Sequence, residues 1–410
     1  MTPLEEVEVA GKTVLLRVDI NSPIDAKTRK ITNTNRIEKS LPTISYLLEQ
    51  GAKLAMVAHQ GDTLDYQNLM SMQEHVDILS RMLGTTVDYI DDVCGPAAQD
   101  KVKSLAAGEA VLLGNLRYLS EEISTFESAV KLEPHEMLGT WLVRALAPLV
   151  DVYVNDAFAA AHRNAPSMVA FQEIKPTAAG KLLFDEVAAL DRVMMQPEHP
   201  SVFVLGGAKI SDAFGMMQQV LQSGTADQIL ACGITGEIML LASGRKLGKA
   251  KEQFLKDRGL LEFVVQAESY LRDYGSKIVY PLDLAFEENG VRKEIAVDDL
   301  PAEHLYMDIG TSTIAAFETA IGEAKTLFVN GPPGVYENAL FEKGTQAVWN
   351  AIAAAPGYSV IGGGDTVTAA TRFVDLDKIN YVCTAGGAMV RYLSGKKLPL
   401  IAAMEKASAR

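Results

Sequence analysis

Cysteine is scarce in this 410-residue sequence, which contains only Cys94, Cys232 and Cys383. The three are widely spaced, with no CxxC pair and no cysteine–histidine spacing of a zinc site, so neither a disulfide framework nor structural zinc is indicated. Basic residues are also fewer than acidic ones, with 38 Lys and Arg against 52 Asp and Glu, so the formal net charge is −14 at pH 7. Nucleic acids are bound mainly by clustered lysine and arginine. A nucleic-acid partner is therefore not expected, and any anion site must be local.

Long hydrophobic runs are missing as well. No apolar stretch reaches the roughly 18 residues that a membrane-spanning helix needs, and residues 1–6 are acidic rather than the basic start of a secretory signal. We therefore expect a cytoplasmic protein without a membrane partner. The sequence is 48% hydrophobic and 22% charged, which is typical of a well-packed globular protein. Its length predicts two domains.

Short β-branched runs alternate with longer amphipathic stretches, which is the pattern of βαβ units around a parallel sheet. The predicted fold class is α/β, with two doubly wound, Rossmann-like parallel-sheet domains joined by a hinge, at residues 1–170 and 171–392. Predicted strands lie at 13–18, 54–58, 87–90, 111–113 and 152–154 in the first half, and at 202–205, 228–231, 278–280, 326–329, 359–361 and 381–383 in the second.

Polar side chains follow the predicted strands of the first half, where open α/β sheets bind ligands. These residues are Asp19, Asn21, His59, Arg117 and Arg163, and Arg36 begins a predicted helix. Arginine suits bidentate recognition of carboxylate or phosphate. Each of the three arginines alone is more readily explained by a surface ion pair, but their placement on one sheet edge favours a site for a small acidic substrate. His59 is equally well explained as a hydrogen-bonded positional residue.

Glycine follows the strands of the second half, in the loops 206–209, 330–332, 362–366 and 384–387. Glycine lets backbone N–H groups approach a phosphate, and Lys209 adds the charge that a bare loop lacks. Neither the GxxxxGK[ST] nor the GxGxxG fingerprint is present, so a P-loop NTPase or a dinucleotide dehydrogenase is not indicated. Asp365 is a candidate magnesium ligand, because Mg²⁺ at such sites takes one or two carboxylates plus phosphate oxygens. It is also a candidate helix N-cap.

Together these motifs resemble the phosphoglycerate kinase family, particularly its archaeal type, over essentially the whole chain. The matching segments are 17–23, 36 with 41–44, 59–60, 112–113 with 115–118, 154–158 with 162–163, 205–209, 330–332 with 334–337, 344–345, 362–366 and 386–388. The resemblance implies reversible phosphoryl transfer between 1,3-bisphosphoglycerate and ADP, with Mg²⁺ as cofactor. It also implies that residues 393–410 form a C-terminal segment that packs back towards the N-terminal domain.

The resemblance further implies a substrate domain, a nucleotide domain and a role for each motif residue. Arg36 and Lys209 would be catalytic, acting from the two domains after a hinge closes. The glycerate would be held by Asp19, Asn21, Arg36, His59, Arg117 and Arg163. The nucleotide would be held by Gly206, Gly207, Lys209, Gly310, Asn330, Glu337, Gly362, Gly363, Gly364, Asp365 and Thr366, with Glu337 at the ribose and Asp365 at the metal.

Several positions depart from the family pattern. Gly61-Asp62-Thr63 puts a carboxylate where the family has an anion-binding arginine, Gly114 replaces a glutamate, Asp185 replaces a lysine, and Ala213 replaces a second lysine. Three interpretations therefore stay open: a divergent phosphoglycerate kinase, a related kinase for another carboxylate or acyl phosphate, and a non-catalytic paralogue that binds nucleotide. Oligomeric state and purine preference are not determined by the sequence.

Overall fold

A computed structural model describes residues 1–62 and 69–410 of the chain. These residues form two compact units. Unit 1 comprises Met1–Val187 and Lys397–Arg410, and unit 2 comprises Ala188–Lys396. The chain therefore passes from unit 1 to unit 2 and returns to unit 1 for its last residues.

Unit 1 is built on a six-stranded parallel sheet with strand order β3-β4-β2-β1-β5-β6. Its strands are β1 (Thr13–Val18), β2 (Lys53–Val57), β3 (Val87–Tyr89), β4 (Ala110–Leu112), β5 (Val152–Asp156) and β6 (Thr177–Ala179). Its helices are α1 (Asn35–Glu49), α2 (Gln73–Leu83), α3 (Pro96–Ser104), α4 (Ser124–Val130), α5 (Trp141–Leu146) and α6 (Pro166–Val169), with α7 (Lys181–Met194) continuing into unit 2 and α16 (Pro399–Ser408) near the C-terminus.

Helix α1 illustrates how the hydrophobic pattern fixes the packing of unit 1. Ile44 and Leu47 are fully buried against the sheet, while Leu41 and Leu48 pack at the edge of the same core. Gly51, which follows the helix, has φ +73°, a conformation that favours glycine. The helix predicted at Arg36 is confirmed, and it runs from Asn35 to Glu49.

Unit 2 contains a second six-stranded parallel sheet, with order β15-β14-β13-β7-β8-β9, and a three-stranded antiparallel sheet, with order β11-β10-β12. The strands are β7 (Ser201–Leu205), β8 (Gln228–Ala231), β9 (Ile278–Val279), β10 (Asp283–Glu288), β11 (Val291–Ala296), β12 (Tyr306–Ile309), β13 (Thr326–Asn330), β14 (Tyr358–Ile361) and β15 (Tyr381–Val382). The helices are α8 (Ile210–Gln222), α9 (Gly233–Ala242), α10 (Lys249–Asp257), α11 (Val264–Tyr274), α12 (Thr311–Glu323), α13 (Lys343–Ala354), α14 (Gly364–Phe373) and α15 (Gly386–Leu393).

The predicted α/β class with two parallel sheets is confirmed, and the antiparallel sheet is a feature that the sequence analysis missed. Its β10–β11 hairpin pairs Glu288 with Val291, so Asn289 and Gly290 form a two-residue turn, both with positive φ. Asn-Gly is a strong hairpin signal. Four of the six residues of β11 are exposed and three are charged, so it lacks the buried β-branched run by which the other strands were predicted.

Helix α16 packs against α6 and β6 within unit 1, although it is the last helix of the chain. Met404 is buried, and Arg410 and Lys406 both form ion pairs with Glu173. Among residues 1–62 and 69–410, no helix is both long and apolar enough to cross a membrane.

Candidate functional site

The arginine pocket of unit 1 lies at the carboxyl ends of β4, β2, β1 and β5, which are four neighbouring strands of the sheet. Because parallel strands end at the same edge, residues that follow them in sequence meet in space. The residues lining this pocket include Arg17, Asn21, Arg36, His59, Asp62, Arg117, Glu122, His162 and Arg163. The structure thus brings five of the six predicted glycerate residues to one cavity, and the sixth, Asp19, pairs with Arg36.

Arg17 holds His59 at the base of the arginine pocket. Its Nη2 lies 2.8 Å from His59 Nδ1, its Nη1 donates to the carbonyl of Val18 at 2.6 Å, and its Nε donates to Ser167 Oγ at 3.3 Å. An arginine only donates hydrogen bonds, so His59 Nδ1 accepts, and the ring proton is on Nε2. Burial lowers the pKa of His59 well below its usual value, and the charges of Arg17, Arg117, Arg36 and Arg163 add to this effect. The imidazole is therefore neutral.

Glu122 joins two of the arginines through its backbone. Its carbonyl accepts from Arg117 Nη1 at 2.7 Å and from Arg163 Nη2 at 3.4 Å. Its buried carboxylate accepts from the backbone N–H and the hydroxyl of Ser167, both at 2.7 Å. Burial and the neighbouring cations Arg163 and Arg17 lower the pKa of Arg117 to about 10. Arg117 therefore remains charged at neutral pH, and the carbonyl of Glu122 holds the guanidinium groups of Arg117 and Arg163 close to each other.

Arg36 and Asn21 complete the rim. Arg36 Nη1 lies 3.1 and 3.0 Å from the two carboxylate oxygens of the buried Asp19, while a third of the Arg36 side chain stays exposed. Asn21 accepts from the backbone N–H of Gly61 at 3.0 Å and so fixes the loop that carries Asp62. Asp62 is exposed and lines the same cavity as the arginines. The carboxylate that replaces the arginine of the family pattern therefore lies in the arginine pocket. Thr63 lies outside the described residues.

The other departures from the family pattern have different surroundings. A Cβ at Gly114 would lie 3.1 Å from the backbone of Asp92 and Val93, so this turn has little room for a side chain. Ala213 is buried on α8. Asp185 is exposed on α7, where partial burial raises its pKa and Lys181 opposes the rise.

The glycine-loop pocket of unit 2 lies at the carboxyl ends of β7, β13, β14 and β15, which are again neighbouring strands. It is lined by Gly206, Gly207, Ala208, Lys209, Asp212, Asn330, Gly331, Pro332, Gly363, Gly364, Asp365, Thr366, Gly386, Gly387 and Val390. The loops predicted to bind phosphate are therefore brought together. Gly362 does not line this pocket itself but precedes Gly363, which does. Gly310 follows Ile309, which lines the adjoining pocket described below.

Hydrogen bonds tie these loops to one another. The N–H of Gly206 donates to the carbonyl of Asn330 at 2.9 Å, and Asn330 Nδ2 donates to the carbonyl of Gly362 at 2.7 Å. Thr366 Oγ1 accepts from the N–H of Gly331 at 2.8 Å. Gly331 has φ +89°, and an added Cβ would collide with the carbonyl oxygen of Gly206. The side chains of Asn330 and Thr366 thus hold the loops in shape.

Lys209 and Asp365 are the charged pair of this pocket. Lys209 Nζ lies 3.8 Å from Asp365 Oδ2, and about three quarters of each side chain is exposed. Asp365 is in the first turn of α14, whose N-cap is Gly363, so the predicted N-cap role of Asp365 is wrong. Within the described ranges no three His, Cys, Asp or Glu residues cluster as a ready metal site. Asp365 is an exposed carboxylate beside a phosphate cradle, and Asp212 also lines the pocket. Such a site fits Mg²⁺, which takes one or two carboxylates and its other ligands from phosphates and water.

An apolar pocket of about 380 Å³ adjoins the glycine loops and shares Gly207, Ala208, Pro332 and Asp365 with them. Its further lining includes Gly233, Glu237, Lys251, Phe254, Pro281, Leu284, Leu305, Tyr306, Ile309, Tyr336 and Glu337. Glu337, predicted at the ribose, therefore lies at this pocket. Sequence reasoning gave no role to Arg17, Glu122, Glu237 or Lys251, because each lies within a strand, turn or helix whose pattern indicates only structure.

The protein is similar to phosphoglycerate kinases in both sequence and structure. The family model for phosphoglycerate kinase matches residues 4–396. The phosphoglycerate kinase of Methanothermobacter thermautotrophicus is 39% identical over 403 residues, covering 98% of this chain and 96% of that protein. That of Thermococcus kodakarensis is 40% identical over 401 residues, covering 96% and 95%. The crystal structure of phosphoglycerate kinase from Pyrococcus horikoshii covers 100% of both chains with a TM-score of 0.87 and 36% identity.

Proposed function

The chain belongs to the phosphoglycerate kinase family, and from this membership we propose which of its residues carry the family's reaction. The protein is a phosphotransferase with a carboxyl group as acceptor. It catalyses the reversible transfer of a phosphoryl group between 1,3-bisphosphoglycerate and ADP, which gives 3-phosphoglycerate and ATP. Unit 1 is proposed as the substrate domain and unit 2 as the nucleotide domain. The observation that carries this proposal is the contrast between an arginine pocket in one unit and a glycine-loop pocket in the other.

The arginine pocket is the proposed 3-phosphoglycerate site. The substrate carries a carboxylate and a phosphate, and the guanidinium groups of Arg36, Arg117 and Arg163 are the donors suited to both. His59 adds a neutral N–H, because Arg17 occupies its other ring nitrogen. Asn21 and Asp19 are proposed to act at the rim, Asp19 by aligning Arg36.

The glycine-loop pocket is the proposed nucleotide site. The backbone of Gly206, Gly207 and residues 362–364 is proposed to accommodate the phosphates, and Lys209 to neutralise part of their charge. Asn330 and Thr366 support the loops, Gly310 lies beside the adjoining pocket, and Glu337 is proposed at the ribose. Asp365 is the residue that would hold Mg²⁺. When bound, this ion would supply positive charge that offsets the negative charge of the phosphates.

The chemistry explains why the site needs no general base. A carboxylic acid has a pKa near 4, so the carboxylate nucleophile is already ionised at pH 7. Transfer then depends on alignment and on positive charge around the moving phosphoryl group. We propose Arg36 and Lys209 for that role, since both are charged and remain partly exposed in their pockets. A neutral His59 is consistent with positioning of the substrate and not with proton transfer.

The first test is ATP consumption by the purified protein with MgATP and 3-phosphoglycerate, compared with the Asp365→Ala variant. We expect turnover that needs Mg²⁺ and is strongly reduced in the variant. MgATP binding without turnover would favour the non-catalytic interpretation, and turnover of another carboxylic acid in preference to 3-phosphoglycerate would favour the related-kinase interpretation that Asp62 motivated. We also propose a cytoplasmic location, because phosphorylated substrates and nucleotides do not cross membranes unaided; cell fractionation would test it.

A further inference from the structure

The apolar pocket contains a buried ion pair to which the reaction chemistry gives no role. Glu237 on α9 and Lys251 on α10 are only 5% and 4% exposed, and Lys251 Nζ lies 2.7 Å from Glu237 Oε1. Their surroundings include Phe254, Pro281 and Leu284. Burying two charges in apolar surroundings is costly unless their remaining hydrogen-bonding capacity is met. The stability of this pair therefore depends on the hydrogen-bond partners of the Lys251 ammonium group and of the two Glu237 carboxyl oxygens.

Lys251 has its partners within the protein. Its ammonium group contacts Glu237 Oε1, donates to the carbonyl of Tyr306 at 3.0 Å, and lies 4.8 Å from the centroid of the Phe254 ring. The last distance is within the range of a cation–π contact. The three N–H groups of the ammonium thus have three interaction partners. One of these partners is Glu237 Oε1, whose position is fixed by the contact.

Glu237 keeps one oxygen without a partner. Its Oε2 is buried and receives no hydrogen bond from residues 1–62 or 69–410. Burial raises the pKa of Glu237, and the charge of Lys251 opposes the rise. A carboxylate accepts hydrogen bonds and does not donate them. Glu237 lines the apolar pocket, and its Oε2 is the carboxyl oxygen to which the described residues supply no hydrogen-bond donor.

The location of the pocket identifies the donor, given the proposed nucleotide site on which this step rests. The apolar pocket adjoins the phosphate-binding loops through Gly207 and Ala208, and Glu337 at its edge is the proposed ribose contact. A nucleotide with its phosphates on the loops and its ribose at Glu337 directs its base into this pocket. Apolar walls suit the faces of a purine ring, and a few polar groups then set specificity.

We propose that Glu237 is a specificity-determining residue for the nucleotide, accepting through Oε2 a hydrogen bond from the exocyclic 6-amino group of adenine. Lys251 is a positioning residue, because it holds the other carboxylate oxygen and so aims Oε2 at the base. A base without that amino group leaves a buried carboxylate oxygen unpaired, and an unpaired charged acceptor weakens binding more than a lost neutral hydrogen bond does.

The test compares MgADP with the magnesium complex of purine riboside 5′-diphosphate, which has hydrogen in place of the 6-amino group and the same ring. Dissociation constants are measured by calorimetry on the full-length wild-type protein. We expect purine riboside diphosphate to bind about tenfold more weakly or worse, since a hydrogen bond to a charged group contributes about that factor. Equal affinities, within about twofold, would overturn the proposal.

The Glu237→Gln variant separates recognition from structure. Lys251 needs an acceptor, so it keeps the carboxamide oxygen, and the NH₂ group then faces the 6-amino group of adenine. We expect the preference for ADP over purine riboside diphosphate to disappear. Glu268→Gln, the same change at an exposed position of α11, serves as the control and should keep the wild-type ratio.

The ratio of the two affinities is the decisive readout, because general loosening of the pocket would weaken both nucleotides alike. A Glu237→Gln variant that keeps the wild-type ratio would contradict the proposal even if the wild type discriminates. Failure of the wild type to bind either nucleotide would contradict the nucleotide site itself, and this inference with it. Binding of both with equal affinity would contradict this inference alone.

Discussion

Arg17 and His59 contact each other 2.8 Å apart, between Nη2 and Nδ1, at the base of the arginine pocket. Both side chains are buried, and the same guanidinium group also donates to Val18 and Ser167. The tautomer of His59 is therefore fixed by Arg17, which is part of strand β1. A histidine that binds a ligand usually needs a second side chain to hold its ring in the correct orientation.

Changing Arg17 to Lys should weaken substrate binding although the charge is kept. Lysine lacks the planar fork that serves three acceptors at once, so His59 loses its fixed orientation. We expect the KM for 3-phosphoglycerate to rise by about tenfold with a smaller change in the KM for MgATP. Arg81→Lys, at an exposed position on α2, is the matched control. An unchanged KM in the Arg17 variant would show that His59 does not depend on this contact.

Changing Arg36 to Ala should reduce turnover far more than nucleotide affinity. Arg36 belongs to the arginine pocket, and the proposed nucleotide groups belong to unit 2. We expect kcat to fall by about 10²–10³, the usual cost of removing one donor to transition-state charge, with the dissociation constant of MgATP nearly unchanged. Because the buried Asp19 loses its ion pair, thermal unfolding should be measured alongside. Equal losses of turnover and nucleotide affinity would contradict the assignment of Arg36 to the substrate.

Neutralising Asp62 should strengthen binding of the acidic substrate. Asp62 lines the arginine pocket and is exposed, so its repulsion of a polyanion is real but screened. The Asp62→Asn variant should lower the KM for 3-phosphoglycerate by about two- to fivefold, in line with exposed charge pairs. The gain should shrink as ionic strength is raised. Asp299→Asn, an exposed position in unit 2, should leave the KM unaltered.

Two glycines of the glycine-loop pocket should respond differently to alanine. Gly331 has positive φ and no space for a Cβ, whereas Gly364 has nothing within 4 Å of where its Cβ would lie. Gly331→Ala should lower the thermal midpoint and abolish nucleotide binding. Gly364→Ala should fold normally but weaken MgADP binding, because the open space is where we propose a phosphate to approach the backbone. Unimpaired MgADP binding by Gly364→Ala would argue against that contact.

His75 should make the protein less stable as the pH falls. Burial lowers the pKa of His75 from 6.5 to about 4. Between these two pKa values the unfolded chain binds a proton at His75 and the folded chain does not. The contribution of neutral His75 to the free energy of unfolding is therefore fully present above pH 6.5 and is lost as the pH falls towards 4. The contribution amounts to roughly 3 kcal/mol at about pH 4. Urea unfolding of the wild type and of His75→Gln across this window should show a shallower pH dependence for the variant; parallel curves would contradict the assignment.

Local sequence determined most of the strands and the residues that follow them. The β-branched runs at β1, β7 and β13 are fully or almost fully buried, and such runs are recognisable because parallel strands are covered on both faces. Polar residues after strands predicted the arginine pocket, and glycine runs predicted the glycine-loop pocket. These predictions rest on a rule of topology, namely that parallel strands end at the same edge.

Tertiary structure alone decided which buried charged residues reach a pocket. Arg17 is part of a strand and Glu237 part of a helix, and nothing in the local pattern of either predicts a charge that faces a cavity. Lys251 is 14 positions from Glu237 along the chain, yet the fold places their charged atoms in contact. Local sequence fixes the conformation of a segment because its causes lie within a few residues, whereas the partner of a buried charge is set by packing between elements.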